Sequence, residues 1–241
     1  MLMTPYRKNT ALRPSIPQEG SGQAFSPYRN MGFSLIEVLV TIVILLVGLL
    51  GLAGLQARAL TAQMESYQRS QALILLRDMA DRIEANRNAA TCYNITDPAT
   101  GTSYLGTSST LPIPAVATCA TALKTIYDAC HAVPLPSADA TAAATTAVAD
   151  MNEWHNALLG AAETQGTNKV GAMIGARGCV SQIVAPACGV PGEYLVAVAW
   201  QGFNSTAAPA INCGAGVGNY GSSDALRRVV ALPISIADLL P

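Results

Sequence analysis

Cysteine and histidine are the side chains of this 241-residue chain that could most readily do chemistry. The six cysteines are Cys92, Cys119, Cys130, Cys179, Cys188 and Cys213. An even number of cysteines suits disulfide bonding in an oxidising compartment. Six cysteines permit many connectivities, so spacing alone does not fix the pairs. Because Ala185-Pro186-Ala187 resembles a turn between strands, Cys179 with Cys188 is the first pair that we expect.

The sequence gives weaker support for metal binding and catalysis than for disulfide bonding. No C-x-x-C occurs, and only Cys130-His131 places two soft metal ligands side by side, which favours structural disulfides over a metal site. His131 lies in a predicted loop, and we expect His155 to be solvated on the polar side of a predicted helix. No G-x-S-x-G, phosphate-loop or dinucleotide motif occurs. The sequence therefore predicts no enzyme, no metal and no cofactor.

The longest apolar segment covers residues 33–55, where Glu37 is the sole charged residue. As a helix with about 1.5 Å rise per residue it would reach roughly 35 Å, enough to cross a hydrocarbon core of about 30 Å. Four basic residues and one acid lie in residues 1–32. By the positive-inside rule, we expect a single transmembrane pass with the N-terminal end in the cytoplasm and the rest outside.

Helical periodicity continues past the apolar segment. One stripe recurs at steps of three and four: Leu60, Met64, Tyr67, Gln71, Leu75, Met79 and Ile83. Asp78 and Arg82 form a favourable i,i+4 pair on the polar face. Since proline is absent from residues 28–97, we predict one helix of roughly 50 to 55 residues. Its half over 33–55 would lie in lipid, and its amphipathic half over 56–88 outside.

The residues around the start of the apolar segment resemble a known processing signal. Gly32-Phe33-Ser34-Leu35-Ile36-Glu37-Val38-Leu39-Val40 is similar to the cleavage and methylation site of type IV pilins and of type II secretion pseudopilins. The resemblance implies a leader over 1–32, cleavage by prepilin peptidase between Gly32 and Phe33, and N-methylation of Phe33. It also implies that Glu37 neutralises the N-terminal amine of a neighbouring subunit.

Further stretches narrow the resemblance to minor pilins of the type IV pilus modification protein (PilV) group. They are Arg77-Asp78-Met79-Ala80-Asp81-Arg82-Ile83-Glu84-Ala85-Asn86-Arg87, Tyr194-Leu195-Val196-Ala197-Val198-Ala199-Trp200-Gln201 and Leu226-Arg227-Arg228-Val229-Val230. The implied partners are prepilin peptidase, the major pilin, other minor pilins, the inner-membrane assembly platform, and membrane lipid before assembly. The implied location is the inner membrane of a Gram-negative bacterium and then the pilus fibre.

Three alternatives stay open at this point. A minor pseudopilin of a type II secretion system would share everything up to the head, residues 89–241. A binding module at the fibre tip, either an adhesin or a DNA receptor, is the second. The net charge of -1 disfavours a nucleic-acid partner, although Lys169, Arg177, Arg227 and Arg228 could form a basic patch. Finally, Ala57-Arg58-Ala59 has the form of a signal peptidase site, although the apolar run is too long for a usual signal peptide.

The head is predicted to complete an α+β fold. Residues 91–136 are rich in Thr, Ser, Gly and Pro and are predicted as loops, whereas the Ala-rich residues 138–149 are predicted to be exposed or helical. A short helix is expected over 149–162, and strands over 170–184, 194–200 and 227–236. The strand at 194–200 is expected to be half-buried. We expect an antiparallel sheet of three or four strands packed on the helical stripe from Met64 to Ile83, the ladle-shaped arrangement that the resemblance also implies.

Overall fold

The computed structural model describes residues 32–161, 164–166, 168–169, 171 and 173–237. Apart from Gly32, the expected leader over 1–32 lies outside these residues. The chain divides into two compact units between Gly51 and Leu52. The expected boundaries at residues 55 and 88 stay predictions.

The first element is a single helix, α1, at Leu35–Ala85. Its 51 residues match the predicted length, and the absence of an internal proline explains why it is unbroken. In the first unit, every residue from Leu35 to Gly51 is exposed. By length and composition, α1 is the one helix among the described residues that is long and apolar enough to cross a membrane.

The expected antiparallel sheet is present and has four strands. In spatial order they are β1 at Leu105–Gly106, β4 at Arg177–Val184, β5 at Gly192–Gln201 and β6 at Arg227–Ile236. A separate two-stranded hairpin comprises β2 at Thr164–Gln165 and β3 at Asn168–Lys169. All pairings are antiparallel. The strand predicted over 170–184 begins only at Arg177, whereas the end of the last strand is as predicted.

Two helices lie between β1 and β4, namely α2 at Val116–Cys130 and α3 at Ser137–Leu158, and a 3₁₀ helix at Arg87–Tyr93 follows α1. The prediction of loops over 91–136 was therefore wrong for α2. Its threonines fit a helix because their hydroxyls bond back to carbonyl oxygens, as Thr121 does to Ala117. The Ala-rich segment and the short helix expected after it form one helix, α3.

The main core lies between the helices and one face of the sheet. Tyr194, Val196, Val198 and Trp200 on β5 belong to the same buried cluster as residues of α1, α2 and α3. The buried residues of α1 are Gln68, Ala72, Leu76, Met79, Ala80 and Ile83.

The predicted stripe on α1 was wrong over its first two turns. Leu60, Met64 and Tyr67 are 62%, 53% and 55% exposed. Burial on α1 begins only at Gln68 and follows a face that contains the small residues Ala72 and Ala80. Small side chains permit close packing of other elements on a helix, and a search for large apolar residues passes over them.

The second face of the sheet is covered by the segment between β5 and β6. Cys179, Ala197 and Ala199 are buried with Cys213 and Tyr220 from that segment. Ala197 and Ala199 are 2% and 0% exposed, so the prediction of a half-buried strand was wrong for β5. The sequence of this segment is rich in Gly, Asn and Ser, which gave no signal that it would fold across the sheet.

Arg177 fixes this covering segment by an aromatic sandwich. Its side chain is fully buried, and its guanidinium carbon lies 4.9 Å from the ring centre of Tyr104 and 4.7 Å from that of Tyr220. Among the described residues, no carboxylate lies within ion-pair distance of it. The two ring faces therefore supply the attraction that offsets part of the cost of burying this cation. Gly214 makes room, since a Cβ there would lie 2.8 Å from Cδ of Arg177.

Three disulfides complete the head: Cys92–Cys119, Cys130–Cys188 and Cys179–Cys213. The expectation of disulfide bonding is confirmed, but the pair expected first, Cys179 with Cys188, was wrong. From Cys179 to the end of β4 at Val184 the extended chain advances roughly 16 Å, beyond the reach of about 6 Å between bridged Cα atoms. Cys188 instead lies in the turn beyond β4, beside the end of α2.

We expect a peptide map of the unreduced protein to contain these three cross-linked pairs. Replacing Cys130 and Cys188 together by serine should lower the free energy of unfolding by about 3 to 4 kcal/mol, because their 58-residue separation is the longest of the three. Denaturant unfolding of the full chain in detergent measures the loss. A map in which Cys179 is joined to Cys188 would contradict the connectivity.

Candidate functional site

The first candidate site is the short segment that precedes α1. Gly32, Phe33 and Ser34 are non-helical and exposed, and α1 begins at Leu35. Phe33 is 84% exposed, and a Cβ added at Gly32 would meet no atom within 4 Å. The peptide bond between Gly32 and Phe33 is therefore open to a protease within the part of the chain that the structure describes.

Glu37 lies in the first turn of α1. The backbone N–H groups of Glu37 and Val38 donate to the carbonyl oxygen of Ser34, which starts the helix. A carboxylate in the first turn interacts favourably with the helix dipole. Among the described residues, no basic group lies within ion-pair distance of Glu37. The carboxylate is thus available to a cation from outside the described residues.

The rest of α1 in the first unit is apolar on every side. Its large side chains from Val38 to Leu50 are all 47% exposed or more. A helix that is apolar on all sides requires lipid or other apolar helices around it. An acid near the start of such a helix is costly unless it is paired or interfacial. The arrangement therefore suits lateral packing of helices in which the acid meets a cation.

The second candidate site joins α1 to the head through Arg82. Its guanidinium contacts Asp78 at 3.1 Å on its own helix, and Asp150 at 2.9 Å and Glu153 at 2.7 Å on α3. The sequence indicated the pair of Asp78 with Arg82, but not the two acids of α3. Their spacing of three on a helical segment was the signal available, since it places both acids on one face.

Tyr93 extends this polar cluster. Its hydroxyl donates to Asp150 at 2.5 Å and accepts from the side-chain amide of Asn86 at 3.2 Å. Burial, followed by the bond to Asp150, raises the pKa of Tyr93 above its ordinary value. The hydroxyl thus remains a neutral donor at physiological pH and holds Asp150 towards Arg82.

α1 is also attached to α3 at a second level and to the segment between β5 and β6. The indole N–H of Trp154 donates to the carbonyl oxygen of Leu75 at 2.9 Å. Glu65 accepts from the backbone N–H groups of Phe203 at 3.1 Å and Asn204 at 3.3 Å, and lies 3.8 Å from Arg228. The outer part of α1 is therefore held at the level of Glu65, Leu75 and Arg82.

Two of the four residues considered as a basic patch from the sequence are buried, and the side chain of Lys169 lies outside the described part of the chain. Arg177 and Arg227 are 0% and 2% exposed. Arg227 donates to the carbonyl oxygens of Pro209, Ile211 and Cys213 and pairs with Asp224 at 3.3 Å. Arg228 donates to Asn204 and Thr206. The guanidinium groups of Arg177, Arg227 and Arg228 therefore stabilise the segment between β5 and β6, and those of Arg177 and Arg227 are not exposed to phosphates.

The structure also places both histidines and the rival cleavage site. His155 was expected to be solvated, but its Nδ1 accepts a hydrogen bond from the backbone N–H of Gly106 at 3.0 Å and links α3 to β1. The ring of His131 stacks on Tyr127 at 3.8 Å, and its neighbour Cys130 is disulfide-bonded. The rival cleavage site at residues 57–59 lies within α1.

Comparison with known families gave two matches, which together cover residues 29–135. Residues 29–53 match the family described as the prokaryotic N-terminal methylation motif. Residues 54–135 match the family described as type IV pilin Tt1218. No curated protein and no solved structure matched the chain. The first match covers the segment around Gly32 and Glu37, and the second covers the outer part of α1 and the start of the head.

Replacing Arg82 by alanine should lower the free energy of unfolding by about 1 to 3 kcal/mol. The loss arises because the partly buried Asp150 would lose its cation while remaining near Tyr93. Replacing Arg77 by alanine is the matched control, since that side chain is exposed on the same helix. Thermal and denaturant unfolding in detergent compare the two variants. Equal stabilities would show that the Arg82 cluster does not anchor the helix.

Proposed function

We propose that this chain, a type IV pilin-like prepilin, serves as a minor pilin of the PilV group and takes part in pilus assembly, stability or decoration. The observation that carries the proposal is the order of features at the N-terminus. An open Gly32-Phe33 bond is followed by one unbroken apolar helix with a single acid in its first turn.

The proposed mechanism begins with prepilin peptidase, which the methylation motif implies. The peptidase cuts between Gly32 and Phe33 and methylates the new amine of Phe33. The helix then leaves the bilayer by exchanging lipid contacts for contacts with the helices of other pilins. Because both surroundings are apolar, this exchange costs little hydrophobic free energy. Helix insertion alone therefore leaves the axial register weakly determined.

Glu37 supplies that register in the proposal. In an apolar bundle an unpaired carboxylate is costly, and attraction to the cationic amine of a neighbouring Phe33 offsets this cost. A shift of one helix along another by one turn, about 5.4 Å, would separate the two charges. The pair therefore favours one register over its neighbours.

The same features support a proposed location. A methylation motif and an apolar helix fit membrane anchoring followed by incorporation into a fibre. We place the protein in the inner membrane of a Gram-negative bacterium, with the leader in the cytoplasm and the head outside. Its partners are then membrane lipid, the assembly platform, the major pilin and other minor pilins. The three disulfides favour this orientation, since the head needs an oxidising compartment.

A minor pseudopilin of a type II secretion system is the second candidate, because the N-terminal motif serves both assemblies equally. The PilV-like stretches near Arg77 and Arg227 favour the pilus. Deletion of the gene, followed by separate assays of fibre formation and of protein secretion, distinguishes the two. Loss of secretion with normal fibres would show that the protein acts in the pseudopilus and not in the pilus.

Peptide mass spectrometry of membrane and sheared-fibre fractions should find a chain that starts at N-methylated Phe33. Replacing Glu37 by glutamine should leave processing intact and reduce incorporation into sheared fibres about tenfold or more, because an interaction of about 1.4 kcal/mol or more per subunit contact is lost.

The control is glutamine at Glu84, an exposed acid at the far end of α1. Equal fibre incorporation of the two variants would contradict the role of Glu37. A mature chain starting at Leu60 would contradict the prepilin pathway as a whole.

A further inference from the structure

The three disulfides of the head differ in their exposure to solvent. Cys188 is exposed and Cys130 is half-buried. The other two disulfides are buried, since their cysteines are only 2% to 4% exposed: Cys92, Cys119, Cys179 and Cys213. A thiolate must reach a sulfur atom to exchange with it, and exposed disulfides are more easily reduced than buried structural ones. The Cys130–Cys188 disulfide is therefore the one that a reductant can reach in the folded head.

Cys188 lies at the corner of the tight turn that joins β4 to β5. The backbone groups of Ala187 and Val190 exchange hydrogen bonds at 3.2 and 2.8 Å, so that Cys188 and Gly189 are the two residues between them. Gly189 has a φ of +73°, which suits the second central residue of such a turn, and a Cβ there would meet no atom within 4 Å. The turn therefore presents Cys188 at the surface, where a protein that carries a reactive thiol can approach it.

The disulfide joins this turn, residues 185–191, to Cys130, the last residue of α2. Among the described residues, no ion pair and no hydrogen bond from an N–H or O–H group joins the turn to α2. Packing between the two is also incomplete, because both line a cavity of about 80 Å³. The lining residues of α2 and of the turn include Leu123, Ile126, Pro186, Ala187 and Val190. Breaking the S–S bond would therefore release the turn from α2 without the loss of another polar contact between them.

We propose that the Cys130–Cys188 disulfide is a thiol-exchange site, which an external dithiol protein reduces selectively while the two buried disulfides persist. The site is separate from helix-driven assembly.

The exchange takes two steps. A thiolate of the reductant attacks Sγ of Cys188, the S–S bond breaks, and Cys130 leaves as a thiolate that takes up a proton. The second thiol of the reductant then loses its proton and attacks the mixed disulfide. This attack displaces Cys188, which is protonated in turn, and closes a disulfide in the reductant. Two electrons pass to the head, and the turn becomes free to separate from α2.

Selective reduction is tested on the full chain in lipid nanodiscs, with dithiothreitol as a small dithiol and reduced thioredoxin as a dithiol protein. Cysteines released at increasing times are alkylated and located by peptide mass spectrometry. We expect Cys130 and Cys188 to be released about tenfold faster or more than the other four cysteines, because the buried disulfides must wait for the head to open. Equal release of all six, or earlier release of a buried pair, would overturn the proposal. Reduction by dithiothreitol without reduction by thioredoxin would also overturn it.

Two further measurements test the cause of the selectivity and the order of attack. In concentrated guanidinium chloride the preference for Cys130 and Cys188 should disappear, because the fold no longer protects the other pairs. A preference that persists there would contradict the role of exposure. A thioredoxin whose second active-site cysteine is replaced by serine should be trapped as a mixed disulfide with Cys188. Trapping on Cys130 or on a buried cysteine would contradict the proposed attack.

Release of the turn is measured by hydrogen exchange of the selectively reduced and alkylated protein. The amides of Ala187 and Val190 and of the last turn of α2 should lose most of their protection, whereas those from Gln68 to Ile83 on α1 should stay protected. The double variant Cys130→Ser with Cys188→Ser should give the same pattern without the alkyl groups. Retained protection at the turn, or loss of protection along α1 in the selectively reduced protein, would overturn the local release.

Discussion

The burial of one face of α1 between Gln68 and Ile83 is the constraint on which the head depends. The same helix presents apolar side chains on all sides up to Gly51, so one continuous element must suit two different surroundings. It does so by changing composition along its length. Met79 and Ile83 are fully buried, and such side chains contribute about 1.5 to 3 kcal/mol each. Ala72 and Ala80, which are small, let the rest of the core approach the helix.

Packing alone would allow the head to slide along or rotate about such a face, and the polar contacts remove this freedom. Glu65, Leu75 and Arg82 lie at three levels of α1. Glu65 bonds to the segment after β5, whereas Leu75 and Arg82 bond to two different turns of α3. A subunit that is held in an assembly through its helix transmits load to its head through these contacts. The Arg82 cluster is the most specific of them, because one planar guanidinium must meet acids on two helices at once.

The sequence predicted the helices and strands that have strong periodicity. Prediction failed where the burial of a residue depends on which distant segment packs over it. The apolar run and the alternation of β5 were sufficient to predict α1 and an antiparallel sheet. The position of the segment between β5 and β6 could not be predicted, because its Gly-rich composition indicates only irregular backbone. That segment buries Ala197 and Ala199, takes up Arg177 and Arg227, and brings Cys213 to Cys179. The disulfide pairing was missed for the same reason, since it depends on which loop crosses which face.

The arginines of the head are used in its internal contacts. Only 12% of the residues are charged. Of the arginines in the second unit, Arg177 and Arg227 are buried, Arg82 and Arg228 are bound to neighbouring chain segments, and the other four are exposed: Arg58, Arg69, Arg77 and Arg87. Binding to nucleic acid requires exposed cations that release counterions from phosphates. A head whose guanidinium groups are bound to its own chain is poorly suited to that task. It is better suited to recognition through shape, apolar surface and a few directed groups.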